Sequence, residues 1–145
     1  MEIQFYVFTS YTYTSSILRT LTRSKYDHIA FCDKELHILQ SSYLISNLKR
    51  RTWNVYKLDD YIMSSYEVYS KVVSAFEYVL FTTYIHWLIS KKKKTSIFDP
   101  FCLHQFSDLL CYAQICKTLP VLNTIEQFIN ELKHCGFELI KSGVI

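Results

Sequence analysis

Proline and glycine are so scarce in this chain, two of each in 145 residues, that the few present bracket its C-terminal third. Asp99-Pro100 reads as a helix start, with Asp99 as N-cap and Pro100 at the first helical position, where a missing N–H costs nothing. Leu119-Pro120 breaks the chain. Thr124, followed three residues later by Gln127, has the form of a capping box; Leu122, Ile125, Phe128, Ile129 and Leu132 form an apolar stripe, and Gly136 stops the helix. Phe137 to Ile140 then adds a short last strand.

Half of the residues are hydrophobic and 17% are aromatic. That composition excludes extensive disorder, and the length suits one domain spanning residues 1–145 with a real core. The scarce residue types have GC-rich codons, which points to an AT-rich genome of viral, phage or low-GC bacterial origin. A net charge of +3 is too small to argue for specific nucleic-acid binding. Five cysteines (Cys32, Cys102, Cys111, Cys116 and Cys135) without C-x-x-C spacing indicate neither a disulfide framework nor a zinc site, and a reducing, cytoplasmic compartment is the default. Met1-Glu2-Ile3-Gln4 lacks the basic start of a signal peptide. No P-loop and no Gly-rich dinucleotide turn is present, so no cofactor is expected.

Along the chain, Ile3 to Phe8 reads as a buried strand, and Ser15-Ser16 caps a short helix through Ile17, Leu18 and Leu21. Arg19, Arg23 and Lys25 are expected to face water or a ligand. Tyr26 to Cys32 forms a second strand, with His28, Ala30 and Cys32 on one side and Ile29 and Phe31 on the other. After a turn at Asp33-Lys34-Glu35, Leu36 to Gln40 returns as a third strand. A three-residue loop would pair Cys32 with Leu36 and His28 with Gln40 on one face, whereas a two-residue loop would separate them; the three-residue loop is expected. Ser41 to Arg51 reads as a loop or irregular crossing, and Trp53 to Leu58 as a fourth strand.

From Ser65 to Lys91 the spacing of Val68, Val72, Val73, Phe76, Val79, Leu80, Tyr84 and Leu88 predicts one long helix. Its part from Val72 to Ser90 is nearly apolar and is followed by Lys91 to Lys94. Glu77 and His86 are costly within a bilayer, so a buried helix followed by a solvated lysine run is expected rather than a membrane span. The resulting fold class is α+β, a small antiparallel sheet packed with helices.

Cys102 stands at the third position of the Asp99 helix. Unpaired backbone N–H groups and the positive end of the helix dipole stabilise a thiolate there. An activated thiol needs a base, and the base needs an orienting group. His28 and Gln40 supply them, and the helix end supplies oxyanion donors at about 3 kcal/mol for each well-placed one. Cys111, Cys116 and Cys135 are assigned to packing, and His104 to the entrance of the site.

Phe8-Thr9-Ser10 and Ser15 to Ala30, ending in Tyr26-Asp27-His28-Ile29-Ala30, resemble the start of the circularly permuted papain-like hydrolases, the NlpC-type enzymes related to lecithin retinol acyltransferase. Leu36 to Ser41 is similar to that family's next strand, which ends in the third polar residue, and Pro100 to Phe106 to its aromatic-Cys helix opening. Leu119-Pro120 matches the proline after that helix. The resemblance implies a permuted papain-like fold and an acyl-enzyme reaction on an amide, thioester or ester, in peptide, isopeptide or lipid-acyl substrates, with Cys102 as nucleophile, His28 as base and Gln40 as orienting group.

Three positions depart from the family pattern: Ala30 replaces a glycine, Leu103-His104 replaces Ser-Glu, and Gln40 replaces a carboxylate. They point to a second reading, a catalytically weakened member that acts as a binding module. A third is weak contact with an anionic surface through Lys49, Arg50, Arg51 and Lys91 to Lys94.

Overall fold

A computed structural model of the chain describes residues 1–11, 13–22, 24–33, 37–44, 49–57, 64–91, 103–116 and 124–144. Among these, six strands form one sheet: β1 (Glu2–Ser10), β2 (His28–Asp33), β3 (His37–Leu44), β4 (Lys49–Lys57), β5 (Ser64–Val72) and β6 (Glu138–Val144). The helices are α1 (Tyr13–Thr22), α2 (Ala75–Ser90), α3 (Leu103–Tyr112) and α4 (Ile125–His134). The sheet order is β4-β3-β2-β1-β5-β6 and each neighbouring pair is antiparallel. The class is therefore α+β, as expected from sequence.

β1 lies inside the sheet because both of its faces are apolar. Ile3, Phe5 and Val7 enter one core, and Tyr6 and Phe8 the other. The first core is built with α2, α3 and α4. Phe5 meets Phe106 of α3 at 5.2 Å between ring centroids, Phe128 of α4 at 5.6 Å and Phe81 of α2 at 6.1 Å. The second core, across the sheet, gathers Tyr6, Phe8, Ala30, Cys32, Tyr66 and Val68.

α4 follows its sequence signals closely. Thr124 and Gln127 close a reciprocal capping box, and Ile125, Phe128, Ile129 and Leu132 face inward. Gly136 ends the helix at φ +96°. The N–H of Phe137 reaches the carbonyl of Leu132 and that of Gly136 the carbonyl of Lys133, the pairing of a Schellman stop.

Four expectations are corrected. The segment predicted as one helix from Ser65 to Lys91 is strand β5 followed by α2. Ser74 breaks it, accepting the N–H of Glu77 while the Glu77 carboxylate accepts the N–H of Ser74, and before it the run of Ser, Tyr and Val pairs along all of β1. Within α2 the inward residues are Tyr78, Phe81, Thr82, Ile85 and Leu88, while Phe76, Val79 and Tyr84 of the predicted stripe point outward.

The predicted irregular crossing from Ser41 to Arg51 holds the end of β3 and the start of β4. Their ladder continues through Tyr43↔Arg50 and Leu44↔Lys49 after a register shift next to Ser41. α1 begins at Tyr13, so Ser15 and Ser16 lie within it rather than capping it.

The fourth correction concerns the hairpin. Cys32 pairs with Ile38 and Asp33 with His37, not Cys32 with Leu36. Three residues still join the strands, but they are 34–36, one position later than predicted, and they lie outside the described residues.

Candidate functional site

The candidate site is built on the corner where β1, α1 and β2 meet. Asp27, buried just before β2, accepts the backbone N–H of Ser10 at 2.7 Å and the guanidinium of Arg19 at 2.5 Å on the same oxygen, Oδ2. Arg19 also donates to the carbonyl of Ser10. Its guanidinium thus ties α1 to the end of β1 instead of facing water or a ligand, which corrects the expectation for Arg19. Burial pushes the Asp27 carboxyl above its ordinary range, opposed by the Ser10 N–H, Arg19 and the neighbouring His28. The N–H of Asp27 donates to the carbonyl of Phe8 at 3.0 Å, so the chain enters β2 in a set register.

That register places His28 opposite Phe8, with the two rings 5.8 Å apart and tilted by 34°. His28 is half-buried and stands on the sheet face of Tyr6, Phe8 and Cys32. The hairpin slip from the expected pairing is two positions, an even number, so strand alternation keeps position 40 on the face of position 28, although the two are no longer directly opposite. Gln40 itself pairs with Asn54 of β4.

Cys102 lies outside the described residues. α3, described from the next residue onward, buries Leu103, Phe106, Leu109 and Leu110 against the other face of the sheet, the one carrying Phe5 and Phe31. His104 is exposed on that helix. The other cysteines differ among themselves. Cys116 is buried and Cys135 half-buried, consistent with packing, and burial together with the neighbouring Cys135 raises the Cys116 thiol. Cys111 is exposed, which corrects its assignment to packing.

A second polar feature lies nearby; it is not legible in the sequence, because the spacing from Ser65 to Lys91 predicts a helix where Glu67 sits in β5. In β5 the Glu67 carboxylate accepts the hydroxyls of Tyr26, at 3.0 and 3.1 Å, and of Tyr69, at 2.9 Å. Burial first, and then Glu67, push the Tyr26 hydroxyl up to about 12. Tyr26 and Glu67 line a cleft of about 300 Å³ with Thr9, Lys25, Tyr66 and Gly143. Ser24 and the backbone of Lys25 bind the Glu126 carboxylate, tying this edge to α4. The one available signal was the period-two alternation of Tyr66, Val68 and Ser70.

These features define an α+β protein with a six-stranded antiparallel sheet, three helices on one face, and a histidine-bearing strand–helix–strand corner. Comparison with protein-family models, with curated proteins and with solved structures finds no match to the chain. Among the described residues, no group of three His, Cys, Asp or Glu side chains is placed to hold a metal ion.

Proposed function

We propose that the chain is a cysteine hydrolase or acyltransferase with a permuted papain-like fold, acting on an amide, thioester or ester through an acyl-enzyme. Cys102 is the nucleophile, His28 the base and Gln40 the group that orients the imidazole. The observation carrying this reading is the strand pairing, which sets positions 28 and 40 on one sheet face with His28 at the opening of β2. The order of strand, helix, histidine strand, return strand and a helix immediately after Cys102 agrees with it. In the reaction His28 takes the thiol proton, the thiolate attacks the acyl carbon, and His28 returns the proton to the leaving group; water or an acceptor then releases the acyl chain. An amide at position 40 holds the ring but supports the imidazolium less than a carboxylate would.

A second reading, a binding module without catalysis, is favoured by one observation. α3 packs on the sheet face opposite His28.

Iodoacetamide labelling near neutral pH, read residue by residue by mass spectrometry, separates the two. Exposed Cys111 serves as the internal reference. Hydrolase chemistry requires Cys102 to react about tenfold faster or more, as a lowered thiol pKa implies, with the excess lost in His28→Ala. Equal rates at Cys102 and Cys111 overturn the catalytic reading in favour of the binding module.

A further inference from the structure

α2 carries apolar side chains on every side, with Glu77 and His86 among them. A helix of that kind is normally enclosed, and its inner face is: Phe81, Ile85 and Leu88 lie in the core. Its outer face is not. Phe76 is 69% exposed, Val79 54%, and Tyr84 and Trp87 42% each.

Phe76, Val79, Thr83 and Trp87 follow one another at steps of three and four, a single stripe along the helix. Tyr112 of α3, itself exposed, extends it sideways, with its ring 6.0 Å from that of Tyr84. Between these side chains lies a hollow of about 440 Å³, lined by Val79, Leu80, Thr83, Tyr84, Trp87 and Tyr112.

The distribution of charge says what this surface suits. From Phe76 to Ser90 the only Asp, Glu, Lys or Arg is Glu77, and its carboxylate is engaged at the N-cap by the N–H of Ser74 at 2.9 Å. At the other end Lys91 is exposed, and the sequence runs on as Lys92-Lys93-Lys94. The nearest acid on the neighbouring helix, Asp108, lines an adjoining hollow with Tyr84 and Tyr112.

We propose that the outer face of α2, together with Tyr112, docks on an anionic lipid surface. The helix lies along the membrane plane, with Phe76, Val79 and Trp87 in the boundary between headgroups and acyl chains and Lys91, at its C-terminal end, against lipid phosphates. Trp and Tyr suit that depth because each has an apolar body and a polar tip. The contact is peripheral, since no described helix is long and apolar enough to cross a membrane. A second copy of the chain is a poorer occupant, because α2 offers no free carboxylate and Asp108, at the edge of the face, is a single acid to meet the partner's lysines. The inference does not depend on the reading of Cys102 and His28.

The test is co-sedimentation of the full chain with vesicles of phosphatidylcholine, with and without phosphatidylserine, at low and near-physiological salt. Binding is expected to the phosphatidylserine vesicles, weakening with salt, and to fall about tenfold in each of Trp87→Ser, Phe76→Ser and Lys91→Glu. Far-UV circular dichroism checks that each variant is folded; these side chains lie outside the core, and Lys91→Glu carries the test if an aromatic variant unfolds. Failure to bind either vesicle overturns the proposal, as does binding that ignores the substitutions. A dimer in sedimentation equilibrium that Trp87→Ser dissociates, without vesicle binding, overturns it in favour of a second copy.

Discussion

Arg19 and Asp27 meet at 2.5 Å, on the carboxylate oxygen that also accepts the N–H of Ser10. The Asp27 side chain is 3% exposed and that of Arg19 20%, so the pair is largely shielded from solvent. It closes the turn from α1 into β2, one residue before His28, and thereby sets where that ring enters the sheet.

Removing the carboxylate leaves a partly buried guanidinium and the partly buried N–H of Ser10 without it. Asp27→Ala is expected to cost about 3 kcal/mol. The pH dependence is a sharper check. Burial raises the carboxyl above its ordinary 3.8, so between those two values the folded state holds the proton more firmly than the unfolded one. Stability contributed by this group is therefore present at the acid end and falls as pH rises towards the folded value. Urea unfolding of the wild type and Asp27→Asn, from about pH 4 to about pH 7, should show the wild type losing stability relative to the variant as pH rises.

Phe5 is the point where the sheet meets three helices. It is fully buried, with the rings of Phe31, Phe81, Phe106, Phe128 and Phe137 between 5.2 and 6.1 Å away. Phe5→Ala should cost about 4 kcal/mol in denaturant unfolding, since no single neighbour can fill the space. Val144→Ala, at a strand end and 75% exposed, should change stability by about 0.5 kcal/mol at most.

Gly143 faces Tyr66 across the β5–β6 ladder. A Cβ there would lie 2.7 Å from the tyrosine oxygen and 2.8 Å from its Cζ. The ring has little room to yield, being buried and stacked on Tyr6 with centroids 5.6 Å apart. Gly143→Ala is expected to cost about 1–3 kcal/mol. In a Tyr66→Leu background the same change should cost measurably less, a coupling read from the four-member cycle.

Two local signals carry through from sequence to structure. The Thr124–Gln127 box and the Gly136 stop delimit α4 because both act through backbone groups within one turn. The alternation of His28, Ala30 and Cys32 likewise survives in β2, since a strand's period does not depend on its partner. The Ser74–Glu77 box is equally local but goes unread, because the spacing of valines and aromatics around it fits a helix and a two-sided strand equally well. That ambiguity hid β5, and with it the Glu67 cluster.

The amino-acid order by itself determined the α+β class, the span of α4 and the largely apolar character of α2. Only the tertiary structure decided that β1 lies between β2 and β5, that Arg19 turns inward to Asp27, that α3 packs across the sheet from His28, and that Phe76 and Trp87 remain outside. Periodicity arises from backbone geometry within a few residues. Which apolar face is covered depends on partners distant along the chain, and these are chosen only when the layers pack.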